Sequence, residues 1–478
     1  MADAHGKGIY GVLQSFSLPG YRRMKNIPLL SRVYVWSVVF EPLLFFNIWD
    51  EWTTGIGGNI SRLLQAMVII ALIFKYSMKP SQGFRIINFA NPIYRNYGIY
   101  LVIAIFAGLL SALFGGYNME MTFSSSRQSL FANLLNSPAV RPQFEYFIAI
   151  YYFIYFVVLP RYVLKTEDAL HYFFLIFKTM FILSLVIGLF SLPLDYFGIR
   201  LVPCHISNWS HWAGARFHGL AGEPRHAFIY LFLGLAVFKL ESYIKNQPLS
   251  KIWIVTIIAA AIFTQSASGL IGIAVFLVLL SLDRFTYPMH RGRVFLGLSL
   301  LILTPLFIYG LINSSSHLSY YLTSTSGLWD ILESGGELPY FMMVQSPDIY
   351  PLYDLIVKAR ELDILPIIIG SGLGSASVIN NHYTHLASGQ MINPNSQLVR
   401  SLFESGIIGS LFFILSFISP VKQLTSHVAI KDRFMFIMLT WLLIGCFMGI
   451  RSAAPFIYLG IFLAVFAPCC KANKGTAP

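Results

Sequence analysis

The chain has 478 residues, of which 56% are hydrophobic, 16% aromatic and only 11% charged, with a net charge of +12. Soluble domains carry about 25% charged residues, so the composition excludes a soluble enzyme and points to an all-α polytopic membrane protein. Cys204, Cys446, Cys469 and Cys470 are the only cysteines. With just one in an external loop, a disulfide framework is excluded as well.

Residues 1–32 read as a cytoplasmic tail. They are basic (Lys7, Arg22, Arg23, Lys25) and lack the apolar core and small-residue cleavage site of a signal peptide. Apolar runs long enough to cross about 30 Å of hydrocarbon follow at Val33–Ile48, Ile60–Phe74, Ile99–Phe114, Phe144–Leu159, Thr179–Leu194 and Ala227–Leu240. Ile252–Leu282 is too long for one ordinary span. Thr264-Gln-Ser-Ala-Ser-Gly269 interrupts it like a turn, so it reads as two short crossings. Val294–Ile312, Leu398–Ile418, Phe434–Ile450 and Ala454–Ala467 complete about twelve transmembrane helices.

Charge supports that parity. With the N-terminus inside, lysines and arginines concentrate in the cytoplasmic segments (Lys75, Lys79, Arg85, Arg161, Lys245, Lys251, Arg284, Lys422, Lys431, Arg433) and thin out externally, which is the positive-inside pattern. Much of the +12 therefore reports topology, and a nucleic-acid partner is set aside. The chain divides into a transmembrane region 33–312 with external loops 115–143 and 195–226, a large external loop 313–397, C-terminal spans 398–467 and a cytoplasmic tail 468–478.

The large loop is too long to be only a connector. It contains a helix-like segment, Tyr350–Ile369, whose Leu352, Leu355, Ile356, Ala359 and Leu362 share a face. Pro351 suits its first turn, and Asp354 and Lys358 are spaced to pair at i,i+4. Gly370-Ser-Gly-Leu-Gly374 reads as a turn after it, because no strand precedes it and no Walker lysine follows.

Two constellations concentrate chemistry. Arg216-Phe-His-Gly-Leu-Ala-Gly-Glu-Pro-Arg-His226 gathers Arg216, Glu223, Arg225 and glycines just before a span. Arginine forks and an incipient helix N-terminus suit phosphate; the competing reading is interfacial arginines touching lipid headgroups. His382, His385, Asn395, Arg400 and Glu404 form the second group, with Arg400 and Glu404 on one helix face. They read either as a cavity-facing functional pair or as a structural ion pair, and either histidine suits a general base. The two histidines have ligand-like spacing, but no carboxylate or cysteine completes a metal set. Arg451 reads as a further positive charge on that surface or as an interfacial anchor.

Three stretches, in this order, resemble the O-antigen polymerase and O-antigen ligase superfamily. They are Arg216-x-x-Gly219-x-x-x-Glu223-Pro224, then Ser266-Ala-Ser-Gly269, then Gly370-Ser-Gly372-x-Gly374 followed by Asn395 through Glu404-x-Gly406-x-x-Gly409. The likeness spans roughly Asp195 to Ala467. Ligases of the family carry a histidine where this chain has Asn395, so the resemblance favours the polymerase branch. It implies a GT-C-like, metal-independent inverting glycosyltransferase without a cofactor in a bacterial inner membrane, its large loop periplasmic and carrying short helices, both termini cytoplasmic. Its substrates would be undecaprenyl-pyrophosphate-linked oligosaccharides, with membrane lipids and a chain-length regulator as further partners. Arg216, Arg225, Arg400, Arg451 and Asn395 would bind substrate and pyrophosphate, and Glu223, Glu404, His382 or His385 would take the acceptor proton. A ligase acting on lipid A core or protein, a flippase or transporter, and a non-catalytic scaffold are the rivals.

Overall fold

A computed structural model gives the structure of the protein and describes residues 27–43, 45, 60–77, 91–113, 141–199, 201–202, 216–266, 273, 349–376, 396–449 and 452–472. Among these, all regular structure is helical. Five helices are long and apolar enough to cross a membrane: Pro92–Ser111, Pro142–Val163, Glu167–Tyr196, Pro224–Ile244 and Gln397–Leu424. Leu63, Met67, Ile70 and Phe74, one stripe of the helix Ile60–Ser77, are exposed. A soluble protein would bury such a stripe; hydrocarbon accepts it. The chain is a helical, membrane-embedded protein.

The helix α1 (Leu29–Phe40) stops earlier than its apolar run, because Pro42 cannot continue the hydrogen-bond ladder. Next come α2 (Ile60–Ser77) and α3 (Pro92–Leu113). The fourth span begins as α4 (Arg141–Tyr152), widens into a π-helical turn at Phe153–Val158 and ends in α5 (Pro160–Val163). Pro160 is the cause. It has no N–H for the Phe156 carbonyl, and the turn closes instead through Leu159 N–H to Ile154 C=O at 2.9 Å.

Helix α6 (Glu167–Tyr196) starts twelve residues before the apolar run that announced it. Thr166 caps it by accepting from Ala169 N–H at 3.3 Å, and Glu167 and Asp168 complement the dipole of its first turn. After a 3-10 turn at Gly219–Ala221 come α7 (Pro224–Ile244) and α8 (Lys251–Phe263). The break expected from Thr264 begins there, with Gln265 at φ 46°. The second arm of that hairpin lies outside the described residues, apart from Ile273, as does Val294–Ile312.

In the large loop, the segment expected as one helix is two: α9 (Ile349–Arg360) and α10 (Leu365–Ile369). Leu362 separates them at φ 61°. Along the apolar face, Leu352, Leu355 and Ile356 are half-buried while Ala359 and Leu362 are exposed. The Asp354–Lys358 pair forms at 2.8 Å. Finally α11 (Gln397–Leu424), α12 (Ile430–Gly449) and α13 (Ala454–Ala472) close the bundle. Helix α11 packs along α3 and α12, and α7 packs against α12 and α13.

Aromatic side chains fill the interior. Tyr97 stacks on Phe153 at 4.1 Å, and Phe413 meets Tyr100, Phe417 and Phe447 within 5.6 Å. At the end of the bundle opposite Arg400, Lys239 pairs with Asp432, and Glu241 with Lys245 and Lys178. Helix α13 lies on the π turn at Gly460, where an added Cβ would run into the Phe156 carbonyl and stand 2.8 Å from Pro160. Gly460→Ala is expected to destabilise the protein by about 1–3 kcal/mol, read as a lower thermal unfolding midpoint in detergent.

Candidate functional site

Ser396 starts α11 as its N-cap, accepting from Val399 N–H at 3.3 Å while its hydroxyl donates to the Met448 carbonyl at 2.9 Å. One turn on, Arg400 and Glu404 share the buried face of the helix, 3% and 2% exposed. Arg400 Nε donates to Glu404 Oε1 at 3.0 Å, and Arg400 Nη2 lies 2.8 Å from Oε2 of Glu145 on α4. Glu145 is equally buried. The pair expected from spacing is thus a triad, with two carboxylates around one guanidinium.

Immediately below, α11 is broken at Gly406, φ 61° and ψ −172°, in a region that only glycine occupies without strain. The Gly370–Gly374 turn fills the break. Ser371 N–H donates to the Phe403 carbonyl and Gly372 N–H to the Glu404 carbonyl, both at 2.8 Å. Gly374 N–H reaches the Glu404 carboxylate at 2.9 Å. Gly370, Gly372 and Gly374 all have positive φ. A Cβ on Gly370 would stand 2.5 Å from the backbone of Glu404, Ser405 and Gly406, and one on Gly372 the same distance from Gly108 on α3. Irregular backbone at membrane depth is tolerated where protein buries it and its polar groups are paired. That is the situation of this turn.

The triad opens on a small cavity of about 40 Å³ between α3, α4, α11, α12 and α13. Its wall is aromatic (Tyr97, Tyr100, Tyr152, Phe413, Phe447, Phe456), with Leu373 of the inserted turn and Gln397 completing it. Tyr152 joins the cavity to a second polar network. Its hydroxyl accepts from Arg62 Nη2 at 2.7 Å, Arg62 pairs with Glu41 at 2.9 Å, and Glu41 also accepts from Ser61 and Gln65.

The other predicted constellation is held by pairing with backbone groups at helix ends. Arg216 Nε and Nη2 donate to the carbonyls of Thr264 and Gln265 at 2.9 and 2.8 Å, while Phe217 N–H donates to the Phe263 carbonyl. Arg216 therefore closes the C-terminus of α8, where a helix leaves carbonyls unpaired and favours a cation. The following residues tuck against α6. Leu220 N–H donates to Ser184 Oγ, and a Cβ on Gly219 would stand 2.7 Å from the Ser184 carbonyl oxygen. Glu223 is the N-cap residue of α7 and lies 3.8 Å from His226; Arg225 is half-buried on the first turn. Arg216→Ala is expected to cost about 2 kcal/mol through the lost charge-assisted hydrogen bonds. Thermal unfolding checks this, with Arg216→Lys recovering part of the loss.

So the structure brings Arg400 and Glu404 together with Glu145, and groups Arg216, Glu223 and Arg225 around the start of α7. His382, His385, Asn395 and Arg451 lie outside the described residues. Sequence reasoning missed Glu145, whose signal was a carboxylate just inside an apolar run. His218, included in the first constellation without a role of its own, is buried, its Nε2 3.2 Å from Asp195 Oδ2 and its Nδ1 3.1 Å from the Gly219 carbonyl. No protein-family model, no curated protein and no solved structure matches the chain.

Chemically, the triad offers carboxylates held in fixed positions by a buried guanidinium, beside a cavity walled by rings. That is a site for moving a proton or for gripping a polar group in apolar surroundings.

Proposed function

We propose that the protein is a polysaccharide polymerase, an inverting membrane glycosyltransferase with about twelve spans in a GT-C-like arrangement. It acts at the periplasmic face of a bacterial inner membrane, with both termini cytoplasmic. Its donor is a growing glycan on undecaprenyl pyrophosphate and its acceptor a new lipid-linked repeat unit. The observation that carries this reading is the junction of Gly370–Gly374 with Gln397–Gly409, two stretches of the family resemblance. They interlock around Arg400, Glu404 and Glu145 at a cavity.

In the reaction an acceptor hydroxyl gives its proton to a carboxylate of the triad as its oxygen bonds to the donor's anomeric carbon. The bond from that carbon to the pyrophosphate oxygen breaks, and its electron pair leaves on the pyrophosphate. Arginines at the α7 start, Arg225 foremost, stabilise the departing charge. General-base catalysis contributes about 10²–10⁴-fold, so Glu404→Gln is expected to slow chain growth by at least about a hundredfold while the shape of the site is kept.

Purified protein in nanodiscs, given lipid-pyrophosphate-linked repeat units and nothing else, tests the reading on a gel. A ladder of longer glycans, lost in Glu404→Gln, supports it. Transfer only when lipid A core or a protein acceptor is added identifies a ligase instead. A transporter is the second reading, favoured by the break at Gly406 within a span and by the ion triad inside the bundle, since transport sites use discontinuous helices. Movement of lipid-linked units across a vesicle membrane with no ladder would decide for it.

A further inference from the structure

Arg400 was one of the four arginines assigned to substrate and pyrophosphate from the sequence, and its surroundings argue for a different occupant. Two carboxylates, Glu404 and Glu145, already neutralise its guanidinium, and with all three ionised the triad carries one net negative charge. An anion brought here would meet that surplus in a medium of low dielectric, where repulsion is strong. Yet the site is incomplete. Arg400 Nη1 is buried and has no hydrogen-bond partner among the described residues, while the residue lines the cavity. A buried donor left unpaired is costly, and here it marks the position of an acceptor atom that none of the described residues supplies.

One group satisfies both demands. A hydroxyl oxygen accepts from Arg400 Nη1 and its proton is donated to a carboxylate, with no change in charge. Size agrees. The cavity is small, about 40 Å³, with room for a few water-sized groups, enough for a hydroxyl or hydroxymethyl arm. The aromatic wall suits the C–H faces of a neutral ring seated at the mouth.

We propose that this cavity is the receptor for the nucleophilic hydroxyl of an uncharged acceptor sugar, with Arg400 and Glu145 gripping that hydroxyl. The pyrophosphate binds elsewhere. The sugar's identity as an acceptor rests on the polymerase reading; the preference for a neutral hydroxyl over an anion does not. Glu145, absent from every motif in the sequence, becomes a substrate-touching residue.

The test is binding without turnover, by saturation-transfer NMR on protein in nanodiscs. The probes are hexyl glycosides of glucose, galactose, mannose and N-acetylglucosamine, and geranyl pyrophosphate. At least one glycoside is expected to bind saturably. Ala149 of α4 also lines the cavity, and Ala149→Leu, which fills it without touching a charge, should weaken binding at least about tenfold, as should the shape-conserving Glu145→Gln. Geranyl pyrophosphate should neither displace the glycoside nor lose affinity in either variant. Absence of saturable glycoside binding overturns the proposal. So does undiminished binding in both variants, or displacement by geranyl pyrophosphate. Glycoside binding of the expected pattern in a protein that makes no ladder would keep the hydroxyl receptor and discard the polymerase.

Discussion

Arg400→Ala is expected to be among the most damaging single substitutions in the chain, lowering stability by about 3–5 kcal/mol and abolishing activity. The cost does not come from the salt bridges themselves, whose Coulomb gain is largely offset by desolvation. It comes from what is left behind. Glu404 and Glu145, 2% and 3% exposed, would face each other with no cation between them. One of the two would have to take up a proton, or water would have to enter. A neutral triple replacement, Arg400→Met with Glu404→Gln and Glu145→Gln, is expected to recover most of the lost stability and none of the activity. Thermal unfolding in detergent, run on wild type, single and triple variants, measures both parts. A single variant as stable as wild type would mean that the three side chains do not meet; a triple variant as unstable as the single would mean that packing, not charge, sets the loss.

How much of this was legible in the sequence follows from the range of each interaction. Apolar runs announce helices wherever the pattern is local, and the runs that became α6, α7, α11 and α13 were found in place. Their ends were less legible. Thr166 capping α6 is a polar signal lying outside the apolar run, and Leu362 reverses the backbone after α9 without a glycine or proline to warn of it. The i,i+4 spacing of Arg400 and Glu404 was readable because helix geometry puts them on one face. Glu145 stands 255 positions before Arg400 on another helix, and no periodicity in a single sequence joins them.

What the sequence left out has one physical source. A side-chain pattern shows charges but not the backbone groups that need them. Arg216 read as an anion fork, and the carbonyls it also serves, at Thr264 and Gln265, carry no mark in the sequence. Gly370–Gly374 was read as a turn in the external loop, and it is a turn, set into the break of a span. That its N–H groups have partners there depends on carbonyls 32 residues later in the chain.

Gly406→Ala is expected to release that turn. An added Cβ would meet the Ile368 carbonyl and stand 2.5 Å from Ile369 N, and alanine at φ 61°, ψ −172° is itself strained by about 1–3 kcal/mol. The variant has an escape that costs less: α11 can straighten. The carbonyls of Phe403 and Glu404 would then accept from residues four further on, as in an unbroken helix, instead of from Ser371 and Gly372. Helix content would hold or rise while the turn lost its anchors, Gly374 N–H would leave the Glu404 carboxylate, and Leu373 would withdraw from the cavity wall. Function is therefore expected to fall much more than the unfolding midpoint. Maleimide labelling of Ser371→Cys reads the turn directly, because Ser371 is 6% exposed. Labelling should accelerate by at least about tenfold in the Gly406→Ala background, an opening of about 1.4 kcal/mol or more. Unchanged labelling would show that contacts on the α3 side, at Gly108, hold the turn without the break, and the glycine in α11 would then need another explanation.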